Sequence, residues 1–123
     1  MKLRAALAQI NPTVGDLAGN AGLIAGAVKA AKDAGANLIV FPEMIVTGYP
    51  VEDLALRPSF QAASIRAVQE IAASITGDIV AVIGYLDQGP KNAVALIHDG
   101  KIRATYVSVT CQIMASLMSS ETL

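Results

Sequence analysis

The sequence runs to 123 residues, 54% of them hydrophobic with no tryptophan, so it suits one compact domain, small for an α/β enzyme, rather than a disordered chain. Nine basic and ten acidic residues leave a net charge of −1 without any Lys/Arg cluster, so neither nucleic acid nor an anionic membrane surface is an expected partner. One cysteine rules out an intramolecular disulfide and fits a reducing compartment.

Lys2 and Arg4 precede an apolar stretch that Gln9 and Asn11 interrupt, which argues against a signal peptide. No apolar run reaches membrane-spanning length, and the expectation is a soluble cytoplasmic protein. Leu3–Ile10 reads as a first strand ending at Asn11-Pro12, followed by a loop with turn formers Gly15, Asp16 and Gly19. The glycine spacing is not that of a phosphate-binding loop, and no Gly-Lys-Ser/Thr follows. Asn20 is read as the N-cap of a helix from Ala21 to about Ala34, terminated by Gly35. Its apolar stripe is Leu23, Ile24, Ala27, Val28 and Ala31, and Gly22 and Gly26 suggest close packing on a sheet.

Leu38–Phe41 has no polar break, as expected of a strand buried on both faces, and Pro42 ends it. Glu43 follows immediately, at the C-terminal end of the strand, where open α/β sheets gather their ligands. Apolar neighbours Phe41, Met44, Ile45 and Val46 are expected to desolvate this carboxylate, which suits a general base. The simpler alternative is a solvated acid at a strand end. Gly48 and Pro50 then turn the chain, and Val51–Leu56 reads as a helical turn.

Pro58 opens a second helix to about Ser74, with Phe60, Ala63, Ile65, Val68, Ile71 and Ala72 inward and Arg66 and Glu70 four apart on its outer face. Asp78–Gly84 is a further buried strand. Asn92–Ile97 and Lys101–Tyr106 flank Asp99-Gly100, a strong two-residue hairpin signal. The order β-α-β-α-β-β-β predicts a parallel start with an antiparallel edge, the first crossover right-handed.

Two strings, AQINPTVGDLAGN at Ala8–Asn20 and FPEMIVTGYPVEDLALRPSF at Phe41–Phe60, resemble the carbon–nitrogen hydrolase (nitrilase) superfamily. NPTVGDLAGN and TGYPVEDLALRPSF are most similar to the glutaminase domains of glutamine-dependent NAD+ synthetases, a resemblance covering Met1–Tyr106. It implies the first half of an αββα sandwich and hydrolysis of an amide carbon–nitrogen bond by a Glu, a Lys and a Cys. In that scheme the Cys attacks, the Glu takes its proton, and the Lys stabilises developing negative charge. Glutamine would be the small-molecule substrate, and its ammonia would serve an ATP-dependent amidation of deamido-NAD+. The resemblance also implies a homo-oligomer for the full-length family. Residues 1–106 are then a partial glutaminase domain, with Glu43 as the general base. No cofactor or metal is expected in this segment; ATP and Mg2+ would belong to a synthetase domain outside it.

The oxyanion Lys and the nucleophile Cys are both absent. The family's Lys lies in a KxxLPNYGVFDE-like motif after the last strand, whereas this chain reads VSVTCQIMASLMSSETL with no Lys after Lys101. Lys101 belongs to the hairpin turn. Cys111 comes too early, and its flanks do not match the family's Cys setting, so it reads as an incidental thiol. His98, the one histidine, lacks a second ligand at metal spacing and reads as a strand-end residue. Back-translation of residues 107–123 with freely chosen codons, read with one C placed in front, gives RKRDLPNYGVFDEQRNF. That is the missing motif, with its Lys where Ser108 stands, and the single-codon residues Met114 and Met118 both fit. A one-nucleotide deletion in the gene or its sequencing therefore accounts for 107–123 as an out-of-frame tail rather than a domain.

The expected product is inactive alone and poorly soluble, because half a sandwich leaves an apolar sheet face and an edge uncovered. Two alternatives stay open. One is a stand-alone amidase, nitrilase or carbamoylase of the same superfamily. The other is a non-catalytic α/β binding module, in which a tail stripe of Ile113, Leu117 and Met118 would dock as a helix.

Overall fold

The computed structural model describes residues 3–110, and for 108–110 the backbone alone. Its elements are β1 (Ala5–Leu7), α1 (Leu17–Asp33), β2 (Leu38–Val40), a 3-10 turn (Glu52–Leu56), α2 (Pro58–Ser74), β3 (Val80–Asp87), β4 (Lys91–His98) and β5 (Lys101–Thr110). They follow the expected β-α-β-α-β-β-β order in an α/β fold. The strands lie side by side in sequence order, with β1–β2–β3 parallel and β3–β4–β5 antiparallel. Asp99 and Gly100 both take positive φ, at 51° and 78°, so the hairpin signal delivers a tight turn whose twist suits the paired strands.

Both helices cover one face of the sheet. Ile24, Val28 and Ala31 of α1 and Val68, Ile71 and Ala72 of α2 pack with Ile39, Ala81, Ile83, Tyr85, Ala93, Ala95 and Ile97 in a single core. Strand alternation turns Leu38, Val40, Val80, Val82, Val94 and Leu96 to the other face, where they are only half-buried, and leaves Leu7 75% exposed. An apolar face open to water is thus a property of the described chain.

Several details differ from the sequence reading. α1 starts at Leu17, capped by Asp16, whose Oδ1 accepts from the Gly19 amide at 3.0 Å. Gly19 permits this because a Cβ there would collide with the Asp16 carboxylate. Asn20 is therefore not a cap but a buried residue of the first turns. Gly22 and Gly26 face open space rather than the sheet, and Leu23 is 41% exposed, because the inward phase is set by Asn20, Ile24, Val28 and Ala31. In α2 the deepest positions include Gln61 and Ser64, while Phe60, Ala63 and Ile65 are half-buried. Gln61 bridges the Ala55 carbonyl (2.7 Å) and the Gly89 amide (3.0 Å), and Ser64 Oγ accepts from the Leu86 amide (3.1 Å). Polar side chains go inward here because they satisfy backbone groups of the 3-10 turn, of β3 and of the β3–β4 turn. Arg66 and Glu70 make no ion pair within 4 Å among the described residues.

The strands β3, β4 and β5 run longer than expected, and β5 continues to Thr110 along the ladder of β4. Cys111 and the Ile113–Leu117–Met118 stripe lie outside the described residues. Among the described residues no helix is long and apolar enough to cross a membrane.

Candidate active site

The segment after β2 is a compact turn laid across β3. The Phe41 amide bonds the Val82 carbonyl (3.0 Å) and the Val46 amide bonds the Gly84 carbonyl (3.2 Å), so the chain stays paired to β3 on both sides of Glu43. Between them Met44 takes φ 51°, and the Gly48 amide closes the turn on the Met44 carbonyl at 2.9 Å. Gly84 makes the approach possible, since a Cβ there would lie 2.6 Å from the Met44 nitrogen and 3.1 Å from the Pro42 oxygen. Gly48, at φ 78°, abuts the Val14 backbone, which a Cβ would meet at 2.8 Å.

Asn20 ties this turn to the β1–α1 loop. Its Oδ1 accepts from the Thr13 amide (2.8 Å), and its Nδ2 donates to the carbonyls of Thr13 (2.8 Å) and Val46 (3.0 Å). The Gly15 amide adds a bond to the Thr47 carbonyl at 2.9 Å. The two strings that carried the family resemblance are thus one structural unit, with Glu43 on its turn.

Glu43 itself is exposed, with Met44, Ile45 and Val46 turned into the core behind it. Of the apolar neighbours named from the sequence, Ile45 is also part of the lining around Glu43. The tight turn sends the next three side chains inward and leaves Glu43 facing out. The carboxylate sits in a cleft of about 400 Å³ lined also by Ile10, Pro12, Pro42, Ile45 and Tyr49. Its Oε1 accepts a hydrogen bond from Asn92 Nδ2 of β4 at 2.5 Å. Asn92 is 7% exposed and had no distinguishing signal in the sequence beyond being a polar residue opening an apolar strand. A carboxylate held at a cleft mouth, with water or substrate in front of it, can accept a proton.

The other residues singled out in the sequence stand elsewhere. Lys101 pairs with His98 at the end of β4 far from Asn92, so it lies outside this cleft. His98 Nε2 lies 3.8 Å from Asp78 Oδ1, and among the described residues no three potential ligands cluster to hold a metal. Between the pairs Lys91–Thr110 and Ala93–Val107 the β4–β5 ladder is irregular, so Asn92 faces positions 108 and 109 of β5.

Two helices cover one face of the mixed sheet, and a carboxylate stands at the exit of its second parallel strand. The chain belongs to the carbon–nitrogen hydrolase family, whose profile matches residues 4–111. Within it the chain is similar to glutamine-dependent NAD(+) synthetases. It is 38% identical to that of Thermotoga maritima over 112 residues, covering 89% of this chain and 19% of the relative. With that of Rhodobacter capsulatus it shares 41% over 106 residues, covering 84% and 19%. The crystal structure of a glutamine-dependent NAD(+) synthetase from Cytophaga hutchinsonii superposes with a TM-score of 0.81 at 31% identity, over 86% of this chain and 19% of that one. An amidase from Nesterenkonia sp. shares the fold at a TM-score of 0.71 and 24% identity, over 86% of this chain and 42% of that one. The chain spans about a fifth of the length of the synthetases it matches.

Proposed function

We propose that this chain is the first half of the glutaminase domain of a glutamine-dependent NAD+ synthetase. In that enzyme glutamine hydrolysis supplies ammonia for the amidation of deamido-NAD+, and Glu43 is the general base that takes the proton of the attacking thiol. The observation that carries the reading is the seat of Glu43. Two loops, a glycine that admits the turn and a strand asparagine converge to hold one carboxylate at the mouth of a cleft.

The nucleophile and the oxyanion-stabilising Lys come, on this reading, from the frame interrupted after Tyr106, and residues 107–123 are its out-of-frame replacement. The backbone register supports it: restoring one base puts Lys at position 108, opposite Asn92, whose side chain already holds Glu43. ATP and Mg2+ belong to the synthetase domain encoded further on, and the full-length enzyme is cytoplasmic and homo-oligomeric. Neither membrane nor nucleic acid is a partner.

The test is to re-read the gene across the codons for Ala104–Thr110 and several hundred bases beyond. One additional base that restores RKRDLPNYGVFDE and a long open frame is the expected result. The 123-residue polypeptide, lacking that motif, is expected to release no ammonia from glutamine. An intact frame as given, or glutaminase activity of the purified polypeptide, would overturn the reading.

A further inference from the structure

We propose that Asn92 is the positioning residue of the Glu43 base, an inference that rests on the hydrolytic role assigned to Glu43 above. An exposed glutamate on a turn has three freely rotating side-chain torsions, and a base must present one oxygen in a fixed direction. In this chain the restraint comes from across the sheet. Asn92 is buried, and its backbone is clamped by pairing with the fully buried Leu86 of β3. Its short planar amide has little freedom left, and it points Nδ2 at Glu43 Oε1. The orientation is dictated by chemistry, because an ionised carboxylate accepts only and must meet the NH2 side of the amide.

The residue type also fits the task. A Lys or Arg at this position would neutralise the base in an ion pair, and an Asp would repel it. An asparagine fixes the carboxylate without adding charge. The irregular pairing of β5 falls directly opposite Asn92, where one residue of β4 faces two of β5. Such irregularities re-aim side chains beside active sites. Asn92 acts through Glu43 and need not touch substrate.

The test has two readouts. In the 123-residue chain, labelled with 15N, one of the two Asn92 side-chain NH2 resonances is expected to shift when Glu43→Gln is introduced, with the backbone amides of Ala93–Ile97 unmoved. A side-chain pair that does not respond overturns the proposal. In the synthetase read from the restored frame, Asn92→Ala is expected to lower kcat for glutamine hydrolysis roughly ten- to a hundredfold with KM within about twofold. In a Glu43→Asp background, whose shorter arm forfeits the Asn92 bond, adding Asn92→Ala is expected to cost nothing further. Full additivity of the two losses would show a merely structural role and overturn the proposal. Retained activity in Glu43→Gln would instead refute Glu43 as base, while the resonance readout still judges the Asn92 contact.

Discussion

Gly84→Ala tests whether the Glu43 turn is seated as argued. The added Cβ would lie 2.6 Å from the Met44 nitrogen, 3.1 Å from the Pro42 oxygen and 3.2 Å from the Glu43 carbonyl carbon. All three are backbone atoms, so no side chain can rotate out of the way. Ordinary contact begins at 3.4 Å, so the turn must lift by roughly 0.8 Å from β3. Lifting strains the Val46–Gly84 bond, now 3.2 Å, and carries Glu43 away from Asn92. Overpacking costs about 1–3 kcal/mol and a weakened hydrogen bond about 1, against about 0.5–1 gained by replacing a strand glycine. The net is a loss of roughly 2–3 kcal/mol.

For a domain of about 100 residues that loss lowers the melting temperature by some 10–20 °C, readable by circular dichroism on the 123-residue chain. In the restored-frame synthetase the same change is expected to cut glutaminase kcat/KM more than tenfold, because a base displaced by most of an ångström loses its proton-transfer geometry. Gly22→Ala is the control: it faces open space on a helix and is expected to raise stability by about 0.5–1 kcal/mol. Should Gly84→Ala melt like Gly22→Ala, the close approach of the turn to β3 is refuted.

Asn20→Ala removes the tether between the two loops and strands the Thr13 and Val46 carbonyls; it is expected to cost about 2–4 kcal/mol, checked by urea unfolding. Asn20→Asp, which keeps the acceptor but loses the donor, should recover only a small part of that. The uncovered sheet face predicts strong binding of the dye ANS by the 123-residue chain, and a folded chain that leaves ANS dark would refute the open face. Ser108→Lys in the same chain tests the backbone register of β4 and β5 by amide chemical shifts. Its amide shift changes should centre on Asn92; changes centred on the Asp99-Gly100 turn would contradict the register.

Element order and strand direction were legible because they rest on period and punctuation. The unbroken apolar run before Pro42, the Asp99-Gly100 pair and Gly35 after the first helix all mean what turn chemistry says they mean. Helix phase was less so. Of the stripe read from helical spacing, Ile24, Val28 and Ala31 are buried, but Leu23 is 41% exposed and Gly22 and Gly26 face open space, while Asn20 turns inward to hydrogen-bond the neighbouring loop and turn. Gln61 and Ser64 went unseen for the same reason: buried polar residues are chosen by the backbone groups they satisfy, and those groups belong to distant segments. At the site, the place of Glu43 after a strand and a proline fits a solvated acid equally well, and the family resemblance of the surrounding strings is what singled it out. Asn92 was not legible, since its significance lies in a contact spanning 49 positions of sequence.

β5 is the edge strand next to β4. Ladder bonds are made by the backbone, so β5 continues wherever its residues are β-tolerant and contain no proline. Val107, Val109 and Thr110 are all β-branched, and pairing persists to the Lys91–Thr110 pair. On the one-base reading, the restored string also has no proline before position 112, beyond the last of these pairs. Either frame can therefore occupy the same ladder, and on the one-base reading a slip after Tyr106 keeps the backbone pairing of β5 with β4. The hydrogen bonds that seat the Glu43 turn lie wholly within residues 13–92, upstream of the point where the two frames part.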